Sequence, residues 1–352
     1  MFKWREERET RETVLRFRQD RRGDWHVHNA VTIQHSLRGS ILRLVDCNVN
    51  GDFNEPGMDG YCVGDSDTVM PLQERLLLED RVVEIDSLSA DGVRLSARVA
   101  PVEGSPQQLE ALARINRLRS ANGLPAVELD LQLSRACTAH AEYLELHDWS
   151  GLTNPHDQTL GTEGASEEGR EAARRSTITR ARPADSIADF WNTYYHRIPL
   201  MSPVLARIGV NERPAHLAVV DVGGAFEQSP KQPWPWSLPI SVPSPGAVGF
   251  PTNARSELPD EPVPDLASRG CPLILVFPRG HPPLTSFSGT LRRLERGEAH
   301  ELPVLVADQG LYTFAYGLVP EQPLKAGSDH EAIFSFTLGG ESRELVVPFR
   351  TE

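Results

Sequence analysis

The chain has 352 residues and a formal charge of −13, with 49 acidic side chains against 36 basic ones. That excess argues against nucleic acid or an anionic membrane as the main partner, because both are held by basic patches. The length predicts two or three domains, and 28 prolines point to linkers and β-rich loops rather than a helical bundle.

No apolar run reaches the roughly 18 residues of a membrane-spanning helix. The start, "MFKWREERETRETVLRF", is charged and lacks the apolar stretch of a signal peptide. Two readings follow: a cytosolic protein, or a chain that starts downstream of its export signal. A strand pattern already present at residues 13–18 favours the second. The cysteines are Cys47, Cys62, Cys137 and Cys271, with no CxxC pair for zinc or redox work. Cys47 and Cys62 flank one loop, so a disulfide between them and two free thiols both stay open. Cys137 lies in an apolar helical pattern and reads as buried and free.

Residues 1–103 read as β-rich, with short runs such as "AVTIQHSL", "SILRLVD" and "VVEIDSL" broken by Gly, Asp and Asn. Among them lies "DCNVNGDFNEPGMDG". Asp46, Asn48 and Asn50 alternate and are followed by Gly51, as in the first half of a calcium loop. Position 12 of that pattern is Gly57 where a Glu belongs; Asp52, Glu55 and Asp59 are the carboxylates at hand. The competing reading is an Asx-rich turn without an ion.

Residues 104–227 change character. "SPQQLEALARINRLRSANGL" opens on Ser-Pro, places Leu109, Leu112, Ile115 and Leu118 at helical spacing, and stops at Asn122-Gly123. A second helix starts behind Asp130, with Leu133, Ala136, Cys137, His140, Ala141 and Leu144 inward. Residues 184–195 are a third helical candidate, and residues 216–226 read as a strand. Residues 228–265 hold ten prolines and read as an extended connector. From 266 to 352, strands recur about every ten residues and end in a hairpin about Gly339-Gly340, the pattern of an immunoglobulin-like sandwich.

"INRLRSANGLPAVELDLQLSRACTAHAEYLELHD", "NPHDQ" and "YYHRIPLMSPVLARIGV" together resemble the CAP superfamily of cysteine-rich secretory proteins, antigen 5 and plant pathogenesis-related proteins, in its divergent bacterial branch. The resemblance implies a central αβα-sandwich CAP-like domain (104–227). With the β-rich domain (1–103) and, past the connector, the immunoglobulin-like sandwich (266–352) on either side, the chain reads as an α+β multidomain protein. It also implies a cleft with two histidines and two acids, able to hold zinc. By position His156 resembles the first histidine and His196 the second. The family's Gly-Glu-Asn signature is absent from residues 163–178, where Glu163, Glu167, Glu168 and Glu171 stand instead. Glu168 serves here as the candidate acid of the zinc set. Asp185 and Asp189 are the candidates for the other acid. Trp191, Tyr194 and Tyr195 are placed at the cleft rim.

The expected role is a secreted or surface-associated, extracytoplasmic protein that binds a small molecule, lipid or protein through this cleft. One alternative is a metal-dependent hydrolase of peptide or cell-wall bonds, with His156 and His196 on the metal. Another is a structural surface module whose cleft is vestigial. His140, between two alanines on a helix, reads as a hydrogen-bonded core histidine.

Overall fold

The computed structural model describes residues 11–19, 25–37, 39–48, 50–56, 58–64, 69–78, 81–100, 103–148, 154–202, 204–226, 239–257, 261–277, 284–308, 310 and 312–352. They form two compact units. One holds the described residues up to 100 and a short piece at 123–126; the other holds the rest.

In the first unit, β1 (Arg11–Gln19), β2 (Trp25–Leu37), β3 (Ser40–Asp46), β4 (Gly60–Val63) and β5 (Met70–Pro71) make one antiparallel sheet in chain order. A second holds β6 (Arg75–Leu78), β7 (Arg81–Leu88) and β8 (Leu95–Val99). Leu42 and Leu44, two apart on β3, share one face and pack with Phe53, Tyr61, Met70 and Leu76. No disulfide joins Cys47 and Cys62, so the bridge left open above is not formed. The ladder explains this: Cys62 pairs across from Arg43, four positions upstream of Cys47.

The second unit opens with α1 (Pro106–Ala121), which starts where Ser105 and Gln108 form a reciprocal capping box and stops at Asn122. After β9 (Glu128–Leu129), Asp130 caps α2 (Leu131–Leu146) through its carboxylate. Next come α3 (Glu167–Arg175), β10 (Ser176–Thr179), α4 (Pro183–Trp191), α5 (Arg197–Met201), β11 (Arg207–Val210) and β12 (Ala218–Asp221). The strands form one sheet, ordered β10-β12-β11-β9. Every residue of β12 is buried, as expected of a strand covered on both faces. On one side Cys137, Ala141 and Leu144 of α2 and Ala172 of α3 pack with Ile178 and Val219. Gly209 is needed where β11 passes α2, because a Cβ there would lie 2.6 Å from the Leu133 backbone.

The inner face of α1 carries polar residues that the apolar pattern did not reveal. Gln108, Asn116 and Arg119 are buried beside Leu112 and Ile115. Each serves the backbone of a neighbour: Gln108 donates to the Val210 carbonyl, Asn116 exchanges two bonds with Val127, and Arg119 donates to the Leu200, Ser202 and Leu205 carbonyls.

Past 238 the chain builds two facing sheets. One holds β13 (Ile240–Val242), β15 (Leu273–Val276), β18 (Val304–Val306) and β19 (Ala315–Pro320), ordered β13-β15-β19-β18. The other holds β14 (Ala247–Phe250), β16 (Leu284–Glu295), β17 (Glu298–Leu302), β20 (Asp329–Leu338) and β21 (Glu341–Thr351), ordered β14-β21-β20-β16-β17. Phe277 meets Phe336 between them edge to face at 5.3 Å, and Phe287 meets Tyr316 at 5.3 Å. The segment read as an extended connector thus supplies β13 and β14; its "KQPWPW" portion lies outside the described residues.

Candidate functional site

The loop after α2 carries His156 and is tied down on several sides. His140, fully buried on α2, donates from Nε2 to the Pro155 carbonyl (2.9 Å) and accepts at Nδ1 from the Gln158 amide (3.0 Å). The other end of Gln158 accepts the Ser166 N–H. Asp157 pairs with Arg170 and Arg174 of α3. His156 Nδ1 reaches the Ala173 carbonyl at 3.1 Å, so that nitrogen carries the proton and Nε2 carries the lone pair.

Burial drives the His140 pKa down to about 4 from 6.5. Between about pH 6.5 and 4 the unfolded chain therefore binds a proton that the folded chain refuses. Stability is complete above 6.5 and falls as the pH drops through that window, by up to about 3 kcal/mol. His140→Gln is expected to flatten that slope in urea midpoints measured across this range; an unchanged slope would assign it elsewhere.

His196 sits in the turn between α4 and α5, its ring stacked on Phe190 at 5.6 Å. Its Nδ1 lies 2.9 Å from Oε2 of Glu257. The Glu257 side chain has no solvent exposure, whereas that of His196 is 17 % exposed. Glu257 also accepts the backbone N–H groups of Tyr194, Tyr195 and His196 at 2.9–3.2 Å. Segment 254–257 is held along the end of α4, with the Arg255 N–H on the Asn192 carbonyl and the Arg255 side chain on Asp189.

His196 acts electrostatically on His156. The His156 pKa lies below its ordinary value, first through burial and further through the nearby His196, against the opposing Ala173 hydrogen bond. The proposed acids fall elsewhere. Glu168 is exposed on the first turn of α3 and bonds neither histidine among the described residues. Asp185 pairs with Arg114 and Asp189 with Arg255. Trp191 and Tyr194 are buried, and only Tyr195 is partly exposed, its hydroxyl donating to the Asp308 carbonyl. The carboxylate that meets His196 is Glu257, which the sequence reading missed. It lies 61 residues downstream in a stretch rich in Glu, Asp and Pro, where nothing local marks it.

Among the described residues, no group of three or more His, Cys, Asp or Glu side chains is arranged to hold a metal ion. Glu257 sits behind His196, on its Nδ1 side, and so is not a third ligand beside the two Nε2 atoms. Two imidazoles alone do not fit the three protein ligands of a catalytic zinc site.

In the first unit, Asp46 is fully buried and accepts the N–H groups of Asn50 and Gly51. Asn50 Oδ1 accepts the Asp52 N–H, and the amides of Asn48 and Asn50 both donate to Glu55. Those two bonds hold the Glu55 pKa below its ordinary value. Asp59 accepts the Glu55 N–H through Oδ2, while its buried Oδ1 has no hydrogen-bond partner among the described residues. Gly57 lies outside the described residues.

Residues 112–211, which span both histidines, match the model of the cysteine-rich secretory protein (CAP) family. The chain carries a divergent CAP-family segment. Among solved structures, a cysteine-rich secretory protein from Staphylococcus aureus matches at 13% identity over 60% of this chain and 84% of that one; its TM-score of 0.22 places no element. No curated protein matches the sequence.

Proposed function

We propose that the protein binds a ligand through the cleft of its CAP-like segment, at the paired imidazoles of His156 and His196. The observation that carries this reading is their shared state. Each ring is pinned at Nδ1 by an acceptor, and each leaves Nε2 without a protein partner among the described residues. A lone pair on each ring recognises hydrogen-bond donors, such as ligand hydroxyls or amide N–H groups. The facing sheets past 238 are read as an immunoglobulin-like sandwich, and the first unit as a β-rich module. Such companions fit a secreted or surface-associated protein. No helix among the described residues is long and apolar enough to cross a membrane.

A second reading, hydrolysis of peptide or cell-wall bonds, is favoured by one observation. A histidine backed by a buried carboxylate has the arrangement of a general base. His196 Nε2 would take a proton from water, while Glu257 stabilises the imidazolium.

The test is titration of the ¹⁵N-histidine-labelled full chain with a soluble sterol, with phospholipid vesicles, with a cell-wall peptide and with Zn²⁺ alone. The binding reading expects one organic probe to move the His156 and His196 signals together, and His196→Ala to weaken it about tenfold, the loss of one good hydrogen bond. Turnover of the peptide selects the hydrolase. Silence to every organic probe leaves the vestigial module and ends both readings; a response to Zn²⁺ alone, lost in His196→Ala, revives the metal. For the loop at 46–59 we propose a structural calcium ion as one reading and a self-closed Asx turn as the other. A calcium-dependent rise in melting temperature assigns the ion; identical melting in calcium and chelator assigns the turn.

A further inference from the structure

We infer that Glu257 is a positioning residue that sets the tautomer of His196, so that a segment outside the CAP-family match completes the cleft. The inference rests on the cleft reading of His196 given above.

The donors around the carboxylate carry the argument. Oε1 lies 2.9 Å from the Tyr194 nitrogen and 3.0 Å from that of Tyr195; Oε2 lies 2.9 Å from the Tyr195 nitrogen and 3.2 Å from that of His196. Backbone N–H groups only donate, so both oxygens act as acceptors. Oε2 also lies 2.9 Å from His196 Nδ1, and that contact is a hydrogen bond only if Nδ1 holds the ring proton. The lone pair is thereby placed on Nε2. Stacking on Phe190 fixes the plane of the ring, and its partial exposure leaves the free edge open to a ligand. The same anchoring of the far nitrogen orients histidines in metal and hydrolase sites.

Glu257 lies beyond the matched residues 112–211, yet its surroundings hold it firmly. The Ala254 N–H bonds the Arg269 carbonyl, and the Arg255 N–H bonds Asn192. Tyr195, next to His196, packs toward Tyr312 at 6.2 Å from the loop between β18 and β19. The second histidine of the cleft is therefore oriented by chain that folds with the two C-terminal sheets.

The substitution Glu257→Leu separates positioning from mere packing. Leu keeps the bulk and removes the acceptor that faces Nδ1, so nothing on that side holds the ring proton any longer. Long-range ¹H–¹⁵N spectra of the ¹⁵N-histidine-labelled full chain read the tautomer directly. The expected result is His196 protonated at Nδ1 in the native chain and mainly at Nε2, the ordinary preference of a free imidazole, in Glu257→Leu. A native His196 already protonated at Nε2 overturns the inference without any variant, which covers failure of the variant to fold. A folded Glu257→Leu chain that keeps the Nδ1 proton overturns it as well. The outcome is independent of whether any ligand moves the two histidines, so failure of the cleft reading and failure of this inference are told apart.

Discussion

Glu257→Ala is expected to destabilise the second compact unit by about 4 kcal/mol, seen as a large drop in its urea midpoint at unchanged slope. Four donors lose their acceptor at once: three successive backbone N–H groups and the ring N–H of His196. A buried donor left unsatisfied costs about 1–3 kcal/mol, and removing the buried charge itself returns part of that sum. A single substitution of this size is exceptional and points to a broken buried network rather than lost packing. A drop below about 1 kcal/mol would mean that water replaces the carboxylate at little cost, and the account of a sealed site would fail.

The second large effect is expected at Arg197, the residue after His196. Arg197→Met should cost about 3 kcal/mol by the same measurement. The guanidinium is fully buried and donates to the Trp191 carbonyl, to the Pro272 carbonyl at 2.6 Å and to the Cys271 sulfur at 2.8 Å. It also lies over the Phe250 ring at 5.8 Å. Met refills most of the volume, so the loss reports the stranded carbonyls rather than a cavity. Arg197→Lys is expected to recover only part of it, since one ammonium cannot reproduce a planar fork. A neutral Arg197→Met would show that the desolvation of the cation cancels its bonds.

Local elements were legible where a single residue does a recognisable job. Ser105-Pro106 announced α1 and Asn122 its end; Asp130 announced α2. His140 was legible as a core histidine, because a His between alanines at helical spacing has few other places to go. Long-range polar contacts were not legible. Gln108, Asn116 and Arg119 fall outside the apolar positions that mark the helix in sequence, yet each is buried because a backbone group more than ten residues away needs a partner. Glu257 was hidden for the same reason. Sequence spacing reports periodicity within an element, and no period links His196 to a carboxylate 61 residues on. Within the family-like segment, the candidate acids Asp185 and Asp189 serve ion pairs with Arg114 and Arg255 instead.

The join between the family-like segment and the two C-terminal sheets carries one more consequence. Tyr194 sets its ring against Gly317 of β19, where even a Cβ would come within 2.4 Å, and Arg197 and Glu257 fasten the same turn from either side. Residue 227, where the family resemblance ends, lies between His196 and the Glu257 that bonds it. A fragment excised there would keep both histidines and lose what orients one of them. Moving the His196 turn onto another scaffold with its hydrogen bonds intact would likewise require transplanting residues 254–257 along with the helices.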